Sequence, residues 1–100
     1  MNTIALSDHA RNRLHQRLGL PKRALQRFVC RRVDSPEVVD EAHLRNSRLR
    51  HQAAELRQKR TNGWITWDPT YRIFYVWAIE RVTLVLVTAV FPSEDGRWSN

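Results

Sequence analysis

The chain has 100 residues, 42% of them hydrophobic, with 17 Lys and Arg against 10 Asp and Glu, a formal net charge of +7. That length allows one domain around a single modest core, and the lone cysteine, Cys30, excludes an internal disulfide and fits a reducing compartment. The charge is uneven: residues 1–60 carry 14 basic and 6 acidic side chains and residues 61–100 carry 3 and 4, so a basic polar part precedes a near-neutral apolar one.

Residues 2–6 suit a short edge strand or an ordered arm. Ser7 and Asp8 then offer oxygens that can cap a helix. Over 9–18 the pattern is helical, with Ala10, Leu14 and Leu18 at four-residue spacing. Gly19 can take the left-handed conformation that closes a helix, and Leu20 can fold back as its hydrophobic contact. A second helix is predicted over 21–33. Pro21 suits its first turn, and Ala24, Leu25, Phe28, Val29 and Val33 form its apolar stripe. Asp34, Ser35 and Pro36 interrupt this pattern and restart it, with Ser35 as N-cap. A long third helix is predicted over 36–60, with a break at Asn46 and Ser47 as the alternative. Its thin stripe of Val38, Ala42, Leu49, Ala53 and Leu56 anchors it only partly, and its acidic start and basic end suit the helix dipole.

Asn62 and Gly63 mark a turn, after which strands are predicted over 64–67, 72–78 and 82–91. Residues 68–71 read as a turn with Pro69 in second position, and 79–81 as the next connection. The last strand is apolar on both faces and should be covered on both. Pro92 ends it, leaving a single domain of 1–92 and a polar tail of 93–100. Helices followed by a three-stranded antiparallel meander define an α+β fold, with the helix stripes packed on one sheet face. The longest apolar run falls far short of the roughly 20 residues of a membrane span, and the start lacks the pattern of a secretory leader. The expectation is a soluble cytoplasmic protein with no membrane partner. The oligomeric state is open, since an apolar strand edge would permit dimers.

Between Arg11 and Arg32 there are eight basic residues and no acidic one. So dense a positive surface repels itself and suits an anionic partner, foremost the phosphate backbone of a nucleic acid. Arg11, Arg13, Arg17, Lys22, Arg23, Arg27, Arg31 and Arg32 are therefore the candidate nucleic-acid contacts. Fifteen of the 17 basic residues are Arg, whose planar fork binds phosphate bidentately, although GC-rich codon usage produces the same bias. His9, Arg13 and Arg17 lie at i, i+4 and i+8, on one helix face. In RNA cleavage an imidazole can move a proton to or from the 2′-hydroxyl or the leaving oxygen, while guanidiniums hold the phosphate and its developing charge. The alternative is structural: His9 bonded to backbone or carboxylate, and Arg13 and Arg17 solvated or paired with Asp34, Asp40 or Glu41.

His15, His43, His51 and Cys30 form no zinc pattern, Asp40, Glu41 and Glu80 are too sparse for a two-metal nuclease, and three glycines make no phosphate loop. No metal or cofactor is expected. Cys30 reads as a small buried apolar residue. Trp64, Trp67, Tyr71, Phe74, Tyr75 and Trp77 form either a stacking platform for bases or, for at least half of them, core.

The run from Ser7 to Leu20 resembles a group of small phage and bacterial proteins that open with Ser/Thr-x-His-Ala-x-x-Arg-x-x-x-Arg-x-Gly. That group is similar in layout to RelE/ParE-type toxins, a helix-then-sheet arrangement shared by several ribonucleases. The likeness extends loosely to 73–76 and 84–88 and does not reach 34–60. It implies a RelE-like fold, an RNA substrate, a cognate antitoxin, and catalytic positions at His9, Arg13 and Arg17. By layout alone it brings in Arg72, Arg81, Tyr71 and Tyr75.

The favoured reading is an RNA-binding protein of toxin–antitoxin type acting as a metal-independent endoribonuclease. One alternative is a non-enzymatic phage-type adaptor that binds host transcription, replication or defence machinery through the long helix, with Arg45, Arg48 and Arg57 as docking candidates. A second is a helix-turn-helix DNA-binding protein that presents Arg23, Arg27 and Arg31 to a groove.

Overall fold

The computed structural model describes residues 4–59 and 63–92 and, as backbone, 98–99. In chain order the elements are β1 (Ile4–Leu6), α1 (Asp8–Leu18), α2 (Lys22–Val33), β2 (Val39–Asp40), a 3-10 turn at Glu41–His43, α3 (Ser47–Gln58), β3 (Gly63–Asp68), β4 (Ile73–Glu80), β5 (Thr83–Pro92) and β6 (Trp98–Ser99). The fold is α+β, with its long strands in the C-terminal part.

The meander β3–β4–β5 forms from local pairings, Asp68 opposite Ile73 and Glu80 opposite Thr83. It is not the whole sheet. The order is β1-β5-β4-β3-β2, with β6 paired to the end of β5. β1 lies parallel to β5, Ile4 opposite Leu84 and Leu6 opposite Leu86, and the long connection that a parallel pair requires is the whole intervening chain from α1 to β4. Within the tail expected over 93–100, the backbone of Trp98 and Ser99 pairs with Pro92 and Phe91. Residues 1–3, 93–97 and 100 lie outside the described residues.

The unbroken helix expected over 36–60 is corrected, and the alternative break at Asn46 and Ser47 is where α3 begins. Val38 N–H closes a turn onto the Ser35 carbonyl at 3.2 Å, and Val39 and Asp40 pair with Trp67 and Thr66. The Asp40 side chain accepts from Ala42 N–H at 3.1 Å and starts the 3-10 turn. The Asn46 side-chain oxygen Oδ1 accepts from Arg48 and Leu49 N–H at 2.9 and 3.2 Å, so α3 begins at Ser47. The expected helix end at Arg60 and the turn at Asn62 lie outside the described residues.

The two N-terminal helices follow their sequence signals closely. Ser7 Oγ accepts from Ala10 N–H at 3.0 Å, and Gly19, at φ 71°, donates its N–H to His15 O at 3.0 Å. Pro21 stands one place before α2, as its N-cap.

Both faces of the sheet carry helices, which corrects the expectation that the helix stripes pack on one face and agrees with that of a last strand covered on both. On one side Ala10, Leu14, Leu25 and Val29 of α1 and α2 pack with Ile73, Tyr75, Trp77, Leu86 and Ala89. On the other, Ala53 and Leu56 of α3 pack with Ile65, Trp67, Phe74, Val76 and Val90. Along β4 the faces alternate strictly, as a pleated strand requires. Along β5 they do not. Val76 pairs with Thr88 and Trp77 with Leu86, so Val87 is an extra residue, a β-bulge. Leu84 and Leu86 face α1 and α2 before the bulge, and Ala89 and Phe91 face them after it.

Candidate nucleic-acid interface

Where β1 ends, α1 takes over its place beside β5. Ser7 N–H donates to Leu86 O at 3.0 Å, and Ser7 Oγ donates to Val87 O at 2.6 Å at the bulge. One turn into the helix, Arg13 Nε donates to Ala89 O at 3.5 Å. One turn further, the Arg17 guanidinium lies 5.7 Å from the centre of the Phe91 ring, a cation–π distance. A helical turn rises about 5.4 Å and two strand residues about 6.6 Å, so four-residue steps on α1 keep pace with two-residue steps on β5. The row of His9, Arg13 and Arg17 therefore follows the edge of β5.

Arg13 is half-buried on this edge, and burial followed by the charge of Arg17 lowers its pKa from the usual guanidinium value. A guanidinium so placed remains protonated. His9, Arg13 and Thr88 then line a cleft of about 310 Å³ with Leu56 and Lys59 of the α3 end and Val76 and Val90 of the sheet. The structure thus brings His9 and Arg13 to one site and adds a third basic group, Lys59, from the opposite layer. Arg17 lies along the same edge, on Phe91, outside the cleft lining.

The other basic candidates fall into two groups. Arg11, Lys22, Arg23, Arg27 and Arg31 are exposed, and among the described residues no carboxylate pairs with them. Arg32 instead turns inward. Its Nε and Nη2 donate to the two oxygens of Asp68 at 2.7 and 2.8 Å, and Nη2 also reaches Glu37 at 2.5 Å. Asp68 is fully buried and accepts as well from Tyr75 Oη at 2.8 Å and from Thr70 and Tyr71 N–H at 3.1 and 3.4 Å. Burial alone would raise the Asp68 pKa, but the bonds from Arg32 and Tyr75 outweigh it, and the carboxyl lies below its usual range. Burial and the same carboxylate push the Tyr75 hydroxyl up.

Of the docking candidates, Arg57 pairs with Glu41 and ties α3 to the 3-10 turn, while Arg45 and Arg48 are exposed. Arg72 and Arg81 hold positive φ, 55° and 57°, in the turns that flank β4, and the Arg72 guanidinium lies over Trp67 at 5.7 Å. Trp67, Phe74, Tyr75 and Trp77 are core, with the Trp77 Nε1–H donated to Thr66 Oγ1 at 3.0 Å. Tyr71 is 43% exposed, edge-on to Phe28 at 5.0 Å and beneath Arg32 at 4.9 Å. Cys30 is half-buried rather than core. Among the described residues no three His, Cys, Asp or Glu side chains converge to hold a metal ion, and no helix is long and apolar enough to cross a membrane.

Lys59, Leu56 and Thr88 carry no sequence signal for the cleft, because their approach to α1 depends on pairings across the whole sheet. Asp68 was legible as a turn former, but not as the buried anchor of α2. No protein-family model matches the chain, no curated protein is significantly similar to it, and no solved structure matches its fold.

Proposed function

We propose that this is a cytoplasmic RNA-directed protein, a metal-independent endoribonuclease of RelE-like toxin layout held in check by an antitoxin. The observation that carries the reading is the cleft in which His9 and Arg13 of α1 meet Lys59 of α3. In cleavage an unprotonated His9 imidazole takes the proton of a 2′-hydroxyl as that oxygen bonds to phosphorus. The 5′-oxygen leaves and takes a proton from water. Arg13 and Lys59 neutralise the charge that builds on the phosphoryl oxygens, while Arg17, Arg11 and the exposed row Arg23, Arg27 and Arg31 on α2 add sequence-independent attraction. The test is incubation of the purified protein with RNA and no added metal. Cleavage is expected, with a loss of about 10²–10⁴-fold in His9→Ala and an unchanged circular dichroism spectrum. RNA left intact by the wild type would refute the enzymatic reading.

One observation favours a second reading, a protein-docking module. Ile79 and Val82 are 59% and 95% exposed at the β4–β5 turn and, with Trp64 and Leu84, line a hollow of about 270 Å³. A partner pulled from bacterial lysate that persists after nuclease treatment, and is lost in Val82→Asp, would support it.

A further inference from the structure

The α1–α3 cleft has two chemically distinct parts. Its rim carries the basic side chains of His9, Arg13 and Lys59; its interior is formed by the buried Leu56, Val76 and Val90, with Thr88 the one hydroxyl among the lining residues. At about 310 Å³ it lies at the small end of the range of roughly 300–1,000 Å³ that small-ligand pockets span. That is room for one nucleotide and not for two. We infer that the cleft receives a single unstacked nucleotide, its base against Leu56, Val76 and Val90 and its phosphate between Arg13 and Lys59, so that the protein selects unpaired strands and tolerates any base.

The inference rests on the nucleic-acid reading above and narrows it. A base in a duplex must be unpaired and unstacked before it can enter such a pocket, and a base in a flexible single strand gives up far less. An aliphatic interior offers shape and desolvation to every base, whereas sequence readout needs donors and acceptors on the base edge. Thr88 alone provides few of these. Two lining residues, Leu56 and Lys59, belong to the segment 34–60 that the family resemblance does not reach, so the pocket is a property of this chain's own topology.

The test uses the full chain and short RNAs carrying one 2-aminopurine, whose emission rises when the base unstacks. A single-stranded oligomer should bind with a clear rise, to a similar degree whatever the flanking bases. The same oligomer annealed to its complement should bind at least about tenfold more weakly, because entry of one base then costs its unpairing and unstacking. Thr88→Trp, which fills the cleft from a half-buried strand position, should abolish the rise and weaken single-strand binding while duplex binding stays unchanged. The wild-type comparison alone decides the matter if that variant fails to fold. Equal binding of duplex and single strand with no change in emission would overturn the pocket while leaving the nucleic-acid reading intact. Binding of neither form at physiological salt would overturn both, and point to a protein partner.

Discussion

Replacing Arg32 by Met separates an arginine that holds the fold from those that face a polyanion. The side chain is 15% exposed, and its loss removes two bonds from a fully buried carboxylate. Breaking a buried ion pair on one side costs about 3–5 kcal/mol. Asp68 keeps three donors, Tyr75 Oη and the Thr70 and Tyr71 N–H groups, so the low end applies, about 3 kcal/mol. For a domain of this size each kcal/mol moves Tm by about 4–8 °C, giving a fall of about 12–24 °C by differential scanning calorimetry. Adding Asp68→Asn should recover part of the loss, because the unpaired charge is gone, with a coupling of about 1–3 kcal/mol. The sign with pH is fixed: a carboxyl held below its unfolded value contributes stability above that value and loses it on acidification. Wild-type Tm should therefore drop as pH falls below about 4, and the double variant should show less of that drop. RNA affinity of the folded Arg32→Met protein should match wild type. A variant that melts within about 4 °C of wild type, or singles that simply add, would refute the account of Asp68 as anchor.

Leu14→Ala empties a fully buried position beneath the sheet and should cost about 2–5 kcal/mol, read as a lower denaturation midpoint at constant m. Ser7→Ala removes the α1 cap and strands the Val87 carbonyl, so a loss of about 1–2 kcal/mol and faster exchange of the Ala10 amide are expected. Changing Arg23, Arg27 and Arg31 together to Gln should flatten the dependence of RNA affinity on salt by about 2 units of log–log slope, with little change in Tm; an unchanged slope would remove α2 from the interface.

What could be read from the residues was local. Gly19, the Ser7 cap on Ala10 and the turns that join β3, β4 and β5 act through neighbours a few positions away, and those elements formed where their pattern placed them. The misread helix over 36–60 shows the limit. Val39 and Asp40 carry no strand signal of their own and become one only because Trp67 and Thr66 offer an edge. β1 is three residues long and finds its partner some eighty positions away. The site divides in the same way. The His9, Arg13 and Arg17 row is a matter of helical spacing, while Lys59 reaches it across the sheet, and Arg32 differs from Arg31 only because Asp68 waits beneath it.

The bulge at Val87 gives β5 something akin to a reading frame. Excising Val87 itself restores plain alternation from Leu86 and keeps every face, whereas inserting one further residue beside it would leave the composition almost intact yet turn Ala89 and Phe91 toward α3 and Val90 toward α1, transposing what each layer receives. Arg13 and Arg17 would lose the carbonyl and the ring on which they rest. Substitutions along this strand are thus a question of size, whereas insertions and deletions are a question of phase, and natural variation should spare its length before its letters.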